Sequence, residues 1–503
     1  MGAKEKILML DRDEDWIFMI DPSSPEAARK SLEDYFSTWS QGDSRITDAT
    51  CCLYGKCSMI PNRATTWIGS KFPLKTDHGV SVDYSKLFGR LSLEGLYKCY
   101  EEFRIDPVKI ILDTLRKTGI RPWITLRMND AHYLYDDDIT YGKEELFYEA
   151  VETGHVIGDQ YGYFGRCYDF SWPRVRQMLL DLIGEILDRY DMYGLSLDFL
   201  REPFCFDYRN DPGCHEIMTE MIRQIRRLLD KAGEKRGSRI KLLVRVPHNP
   251  KESLAYGFDV RTWCQENLID VIEPCARWEC VNSGIPVRQW RETVGKDVLL
   301  IPGVETLSLK GPAKKAGEAE WGEKMFSIMS AEQVRAYAAS FDAQGADGLF
   351  LANMCSSSSE RNRRIWTIDP AHADEGFRRY IVTFQDIPSG MTDHVYRPLP
   401  LKVCGQTALD LPIGKVRKTD RISVFVDAEG ESAPALTVGG KTYAAEKCGP
   451  LTACGDESSV TVLLSPHGSF RYDLSGFETD CDIRLSFLGN CVIHHAEVRI
   501  GEA

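Results

Sequence analysis

The sequence predicts an α/β fold: a (β/α)8 TIM barrel over residues 1–388, followed by an antiparallel β-sandwich over residues 389–503. Three observations predict it. Short apolar runs alternate with helix-type runs up to about residue 385, and repeated βα alternation argues a parallel sheet covered by helices. Eight such units suit a barrel, which needs ~250 residues and tolerates over 400. Neither G-x-G-x-x-G nor G-x-x-x-x-G-K-[ST] occurs, so the alternative, a doubly wound open sheet, lacks its usual phosphate loop.

The strands come in order as Ile7–Leu10, Thr50–Met59, Trp123–Leu126, Gly194–Leu197, Ile240–Val246, Val271-Ile272, Val298–Ile301 and Gly348–Leu351. Between them, Ala27–Trp39, Pro107–Thr118, Pro173–Tyr190, Cys214–Lys231, Val260–Asn267, Pro286–Val294 and Ala331–Ala343 read as helices. In Pro173–Tyr190 the apolar residues Val175, Met178, Leu179, Leu182, Ile183, Ile186 and Leu187 recur with the 3.6-residue period. After about residue 390 the texture changes. Arg421–Asp427, Ala435–Val438, Ser459–Leu464, Asp482–Phe487 and Cys491–Ile500 are short β-type runs divided by turn residues such as Gly439-Gly440 and Gly489-Asn490. The boundary is expected near Pro388-Ser389-Gly390.

Hydrophobic residues make up 43% and charged residues 27% of the chain, which excludes disordered and fibrous classes. The net charge of −13 argues against nucleic acid or an anionic membrane as partner, since both demand a basic footprint. Arg361-Asn362-Arg363-Arg364 is a local basic run, read as a solvated face. Sixteen cysteines contain no Cys-x-x-Cys pair, so neither a zinc ribbon nor a thioredoxin motif is expected. The first residues lack a signal-peptide apolar core, and no apolar run approaches the ~18 residues of a membrane span. The expectation is a reduced, cytoplasmic protein with free thiols, no membrane partner and no cofactor; a homo-oligomer is allowed.

In a barrel, chemistry sits where strands end at their C-terminal side. Polar and ionisable residues cluster there. Strand 3 runs into Arg127, Asn129, Asp130 and His132, and strand 4 into Asp198, Arg201 and Glu202. Strand 5 carries Arg245 and strand 6 Glu273 with Trp278 behind it; strand 7 leads to Glu305 and strand 8 to Asn353. Strand 1 enters Asp11-Arg12-Asp13-Glu14-Asp15, read as a polar loop whose acids could also hold Mg²⁺ or Ca²⁺. Asp198 lies between Leu197 and Phe199, a setting in which a carboxylate needs a partner, and Arg201 is the nearby candidate. Two carboxylates on one cleft are what glycosidic cleavage requires, one to protonate the leaving oxygen and one to attack or to activate water. Tyr163, Trp172 and Trp278 could offer aromatic faces. No His-Glu-x-x-His and no Gly-x-Ser-x-Gly occurs.

Three segments, 124–132 (ITLRMNDAH), 193–201 (YGLSLDFLR) and 301–305 (IPGVE), resemble a group of bacterial glycosyl-hydrolase-like (β/α)8 barrels distantly similar to the xylanase-type barrels. Residues 168–176 (YDFSWPRVR) look like the same group's approach to the helix before strand 4. The resemblance covers about residues 5–385. It implies a carboxylate after strand 4 as acid/base and a Glu after strand 7 as nucleophile, positions held here by Asp198 and Glu305. Strand 4 ends in Asp rather than the Asn-Glu pair of the best-known clan, so the division of roles stays open, with Glu202 and Glu273 as other candidate acids.

The expectation is therefore a glycoside hydrolase acting on a small sugar conjugate or oligosaccharide, with Asp198 and Glu305 catalytic. Arg127, Asn129, Asp130, His132, Arg201, Glu202, Arg245, Glu273, Trp278 and Asn353 would line the substrate. The alternatives are a non-catalytic carbohydrate-binding barrel and a metal-assisted hydrolase or lyase.

Overall fold

The computed structural model describes residues 6–71, 93–132, 134, 143–211, 213–277, 280–310, 326–383, 396, 398–430, 432–449, 451–453, 462–463 and 467–501. The barrel's first strands are β1 (Ile7–Leu10), β2 (Asp48–Tyr54), β3 (Arg121–Arg127), β4 (Gly194–Asp198), β5 (Lys241–Pro247) and β6 (Val271–Cys275). Then come β7 (Leu299–Leu300) and β8 (Gly303–Val304), the antiparallel pair β9 (Leu307–Lys310) and β10 (Phe326–Ile328), and β11 (Gly348–Leu351). Each barrel strand is parallel to its neighbours, in the order β7-β6-β5-β4-β3-β2-β1-β11-β8. β7 and β8 are two pieces of one run, parted at Ile301-Pro302. The first pairs with β6 and the second with β11, so together they close the ring.

Nearly every barrel-strand residue is buried, as expected of a parallel sheet covered on both faces. Ile7, Met9, Trp123, Leu243, Val271, Ile301, Phe350 and Ala352 form a cluster of their own, separate from the larger core. They are the inward-pointing residues that fill the barrel.

The second unit is antiparallel and contains β12 (Arg378–Ile381), β13 (Leu401–Pro412), β14 (Ile422–Gly430), β15 (Ala435–Val438), β16 (Lys441–Tyr443), β17 (Glu446–Lys447), the pair β18 (Thr452–Ala453) and β19 (Val462–Leu463), β20 (Gly468–Leu474) and β21 (Asp482–Ile500). Strand β21 serves both layers of the β-sandwich. Residues 482–493 pair with β13, and residues 486–488 within that span with β15, whereas residues 491–500 pair with β14 and residues 497–500 with β12. Gly439 and Gly440, both at positive φ, form the two-residue turn between β15 and β16, where such backbone matches the strand twist.

The sandwich rests on the barrel through the helix Ala331–Ala343 and the loop before Val287–Val294. Tyr337 Oη donates to Ile381 O at 2.7 Å, and Thr383 Oγ1 to Val281 O at 2.7 Å. Ser340 bonds Pro412 O. At Gly414 a Cβ would stand 2.8 Å from the backbone of Ala339, so only glycine permits this approach.

Several expectations need correcting. Strand 2 ends at Tyr54 rather than Met59, because Gly55–Ser58 fold back into a bridge with Tyr54. The helix from Cys214 continues to Arg236, where Gly237 caps it in the left-handed region. Asp482–Phe487 and Cys491–Ile500 are one strand, since β13 and β14 between them pair with its whole length, Gly489-Asn490 included. β13 itself is not among the expected strands; most of its residues are partly or fully exposed, so its apolar signal is weak. The expected domain boundary and most of Ser459–Leu464 lie outside the described residues.

Candidate active site

The inward-pointing period continues past the apolar plug and changes character at the C-terminal end of the strands. Met9 is followed two residues on by Asp11, Thr125 by Arg127, Ser196 by Asp198, Leu243 by Arg245, Val271 by Glu273, and Gly303 by Glu305. In the strand register Arg127 lies beside Asp198, Asp198 beside Arg245, and Arg245 beside Glu273. Four adjacent strands therefore present one layer of alternating charge. Gly303 lets the seventh run come close, because a Cβ there would meet Cys275 Sγ at 2.3 Å and Glu273 Oε1 at 3.0 Å.

Arg245 is the centre of this layer. Its guanidinium reaches Glu305 Oε1 at 2.5 Å, Glu273 Oε1 at 3.1 Å and Asp198 Oδ2 at 3.3 Å. Asp198 is therefore partnered by Arg245, not by the side chain of Arg201. Its Oδ1 accepts the backbone N–H groups of Leu200 at 2.8 Å and Arg201 at 2.9 Å. Cys275 Sγ stands 3.4 Å from Glu305 Oε1.

Burial sets the protonation pattern. It raises Glu273 well above the usual glutamate range; Arg245 opposes the shift, while Asp198, Asp11 and Glu305 add to it. Burial and the charge of Asp13 raise Asp11 to about 7, against Arg245 and a hydrogen bond from Thr50. Burial works the same way on Asp13 and Asp130 but is overridden. Arg127 and Arg201 pull Asp13 down, and His132, Arg127 and Arg201 hold Asp130 well below the usual range. The mouth thus contains carboxyls of both kinds at neutral pH.

A second tier leans on the first. Arg127 bridges Asp13 at 2.7 Å and Asp130 at 3.2 Å. Asp130 Oδ1 accepts the backbone N–H of His132 at 2.8 Å and lies 2.6 Å from its Nδ1. His132 Nε2 in turn meets Arg201. Other expected residues are placed differently. Asn129 spends its amide on the backbone of Tyr168 and Phe204, so it ties loops together. Glu202, fully buried, pairs with Arg277. Asn353 is exposed beyond β11 in a left-handed conformation, which asparagine tolerates. Trp172 stacks on His155 at 4.5 Å, whereas Tyr163 feels the charges of Glu202, Asp130 and Arg201. Trp278 lies outside the described residues.

Two residues of the mouth are not among the substrate-lining residues expected from the sequence. Asp11, expected in a polar loop, is buried. Lys56, just past β2, is also buried, with its ammonium 3.9 Å from the Tyr168 ring centre and, among the described residues, no hydrogen-bond partner. Burial lowers its pKa, with Cys167, Asp130 and Glu144 opposing. Both follow strand ends, which was the signal available for finding them.

Two cavities lie away from this layer. One of about 480 Å³ opens at the opposite end of the ring, lined by Lys6, Asp48, Arg121, Trp123 and Lys241 among others. Another, of about 620 Å³, lies between Arg63, Glu144, Arg174 and Asp181.

No family model and no curated protein matches the chain. Among solved structures it is similar to α-L-fucosidase isoenzyme 2 from Paenibacillus thiaminolyticus, with 11% identity and a TM-score of 0.40 over 74% of this chain and 49% of that one. The chain thus spans about half the length of that fucosidase. It is also similar to a family GH18 chitinase from Chromobacterium violaceum, with 10% identity and a TM-score of 0.41 over 97% of this chain and 88% of that one. A GH27 β-L-arabinopyranosidase from Geobacillus stearothermophilus matches with 10% identity and a TM-score of 0.38 over 97% of each chain. At such scores these likenesses carry no argument about chemistry, which rests on the site itself.

Proposed function

We propose that the chain is a glycoside hydrolase whose catalytic carboxylates are Asp198 and Glu305. The observation that carries this reading is their shared partner. Both touch one guanidinium, at 3.3 and 2.5 Å, and the fixed fork of an arginine then keeps them within about 8 Å of each other. That ceiling is below the upper limit of the spacing of a glycosidase pair, ~5–9.5 Å.

The hydrogen bonding suggests a division of labour. Asp198 has donors on both oxygens, two backbone N–H groups and Arg245, which hold it in one orientation. Asp198 is thus the carboxylate that attacks the anomeric carbon or activates water. Glu305 delivers the proton to the leaving oxygen, with Glu273 protonated beside it. Arg127, Asp130, His132, Arg201 and Asn353 supply the donors and acceptors that a sugar's hydroxyls need.

A panel of aryl α- and β-glycosides tests the reading. Asp198→Asn and Glu305→Gln should each lower turnover by ~10²–10⁴-fold with the far-UV circular dichroism unchanged. The loss in Glu305→Gln should shrink as the aryl leaving group becomes more acidic, because such a group departs without protonation. Near wild-type turnover in either variant would remove that residue from the pair.

A further inference from the structure

We propose that Glu429, His467 and His494, together with the buried carboxylate of Asp427, form a binding site for a divalent transition-metal ion such as Zn²⁺ on the sandwich, unrelated to the chemistry of the barrel. Of the ten histidines in the chain, three (His467, His494 and His495) converge on this patch of the sheet made by β14, β20 and β21.

The strand geometry explains how they meet. Asp427 and Glu429 are two apart on β14 and so share a face. Asp427 is opposite Ser469 on β20 and His495 on β21. In a regular strand His494 and His495 would point to opposite faces. The register of β14 with β21 instead shifts between Asp427 and Ala428, so that Asp427 pairs with His495 but Ala428 pairs with Ile493. His494 is the extra residue of a β-bulge, a device that re-aims a side chain. It reaches the Glu429 side, with Nε2 at 2.9 Å from Oε2. His467, just before β20, completes the group with Nε2 at 4.0 Å from the same oxygen. The two imidazoles lie face to face, 4.4 Å between centres.

The donor set suits the ion. One ligand atom from each of the three residues lies within 4.8 Å of the other two. Tetrahedral Zn²⁺ with bonds of ~2.0–2.1 Å wants its ligands about 3.4 Å apart, a change within reach of small rotations of these solvent-reaching side chains. Two imidazoles and a carboxylate are a borderline-soft set that selects zinc and its neighbours over Mg²⁺ or Ca²⁺.

Asp427 lies within the same patch, fully buried, with the backbone of His467 beside its carboxylate. The imidazoles of His467, His494 and His495 face it. A carboxylate beside metal-binding imidazoles orients them toward the ion they hold. Asp427 is assigned as a positioning residue and Glu429, His467 and His494 as ligands.

The test uses the full chain, stripped with a chelator and then freed of it. Titration with Zn²⁺ against a chromogenic competitor should give one ion per chain with a dissociation constant in the micromolar range or tighter. His467→Gln and His494→Gln should each weaken it by about 100-fold, and Asp427→Asn by ~10–100-fold, the usual loss for an outer partner. Zn²⁺ should raise the Tm of the wild type and not that of His494→Gln. Because the chain is rich in cysteine, Co²⁺ is the discriminating probe. Visible d–d bands without an intense near-ultraviolet thiolate band support the site. A thiolate band, binding that survives both histidine substitutions, or no stoichiometric binding would each overturn it. The histidines sit on the surface side of the sheet, and unchanged circular dichroism in their variants separates lost ligation from lost folding.

Discussion

At the residue scale, the barrel mouth has more carboxyls than cations to hold them. Arg245 faces Asp198, Glu273 and Glu305 together, and one positive charge in a poorly solvated site cannot keep every neighbour ionised. Asp11 and Glu273 take the other solution and hold protons. For Asp11 this has a measurable consequence. Burial raises its pKa from the ordinary 3.8 to about 7, so between those limits the folded chain binds more protons than the unfolded one. Its share of stability is complete at low pH and is lost as pH rises through 7. Asp11→Asn, neutral throughout, should therefore gain on the wild type between pH 5 and pH 8 in urea melts, by at most about 1.4 kcal/mol per pH unit. An unchanged difference across that range would mean that Asp11 is already ionised.

At the element scale, the strand-end rule found Asp198, Arg245, Glu273 and Glu305 because each continues the inward period of its own strand. It passed over Asp11 for a physical reason. The run Asp11-Arg12-Asp13-Glu14-Asp15 has the composition of a solvated loop, and only burial in the folded barrel separates Asp11 from the rest. Lys56 was hidden by reading strand 2 through Met59, which placed it inside the strand instead of beyond it. Asn129 shows the reverse limit. Its amide type suits sugar hydroxyls, but a sequence does not show whether the amide is already engaged by the backbone. In the sandwich, Glu497 sits between Arg379 and Arg499, at 2.5 and 3.0 Å, with no exposed surface. Burial opposes its ionisation, yet the neighbouring His495 and the hydrogen-bonded Arg379 depress its pKa strongly. Glu497→Ala should destabilise the protein by ~3–5 kcal/mol, the range for breaking a buried pair. Chemical denaturation reads this directly; a change below 1 kcal/mol would mean that water reaches the arginines.

At the scale of the whole molecule, barrel and sandwich are stitched together rather than strung on a linker. β12 adds to the antiparallel sheet, while Tyr337 and Ser340, from the helix Ala331–Ala343, bond to Ile381 and Pro412. Tyr337 also stacks on Tyr380 at 5.3 Å. Calorimetry should accordingly give a single unfolding transition. Two resolved transitions would show that each unit stands without the other. The barrel was legible because its signal repeats eight times and each repeat supports the next. The sandwich was only partly legible, because β13 and β21 owe their length to each other, and pairing between strands some eighty residues apart leaves little local trace.

The sharing of β21 between both layers also bears on the order in which the protein is made. Residues 482–500 follow every other described strand of the sandwich. On the ribosome the barrel strands, complete by Leu351, are available well before them. Until β21 emerges, β12 and β13 have no partner among the described strands and one side of β14 is uncovered. Such open edges invite pairing with another chain. The nascent protein therefore passes through a stage in which all the barrel strands have been made but the sheet that follows them is unclosed, and the arrival of one nineteen-residue strand ends its exposure to aggregation.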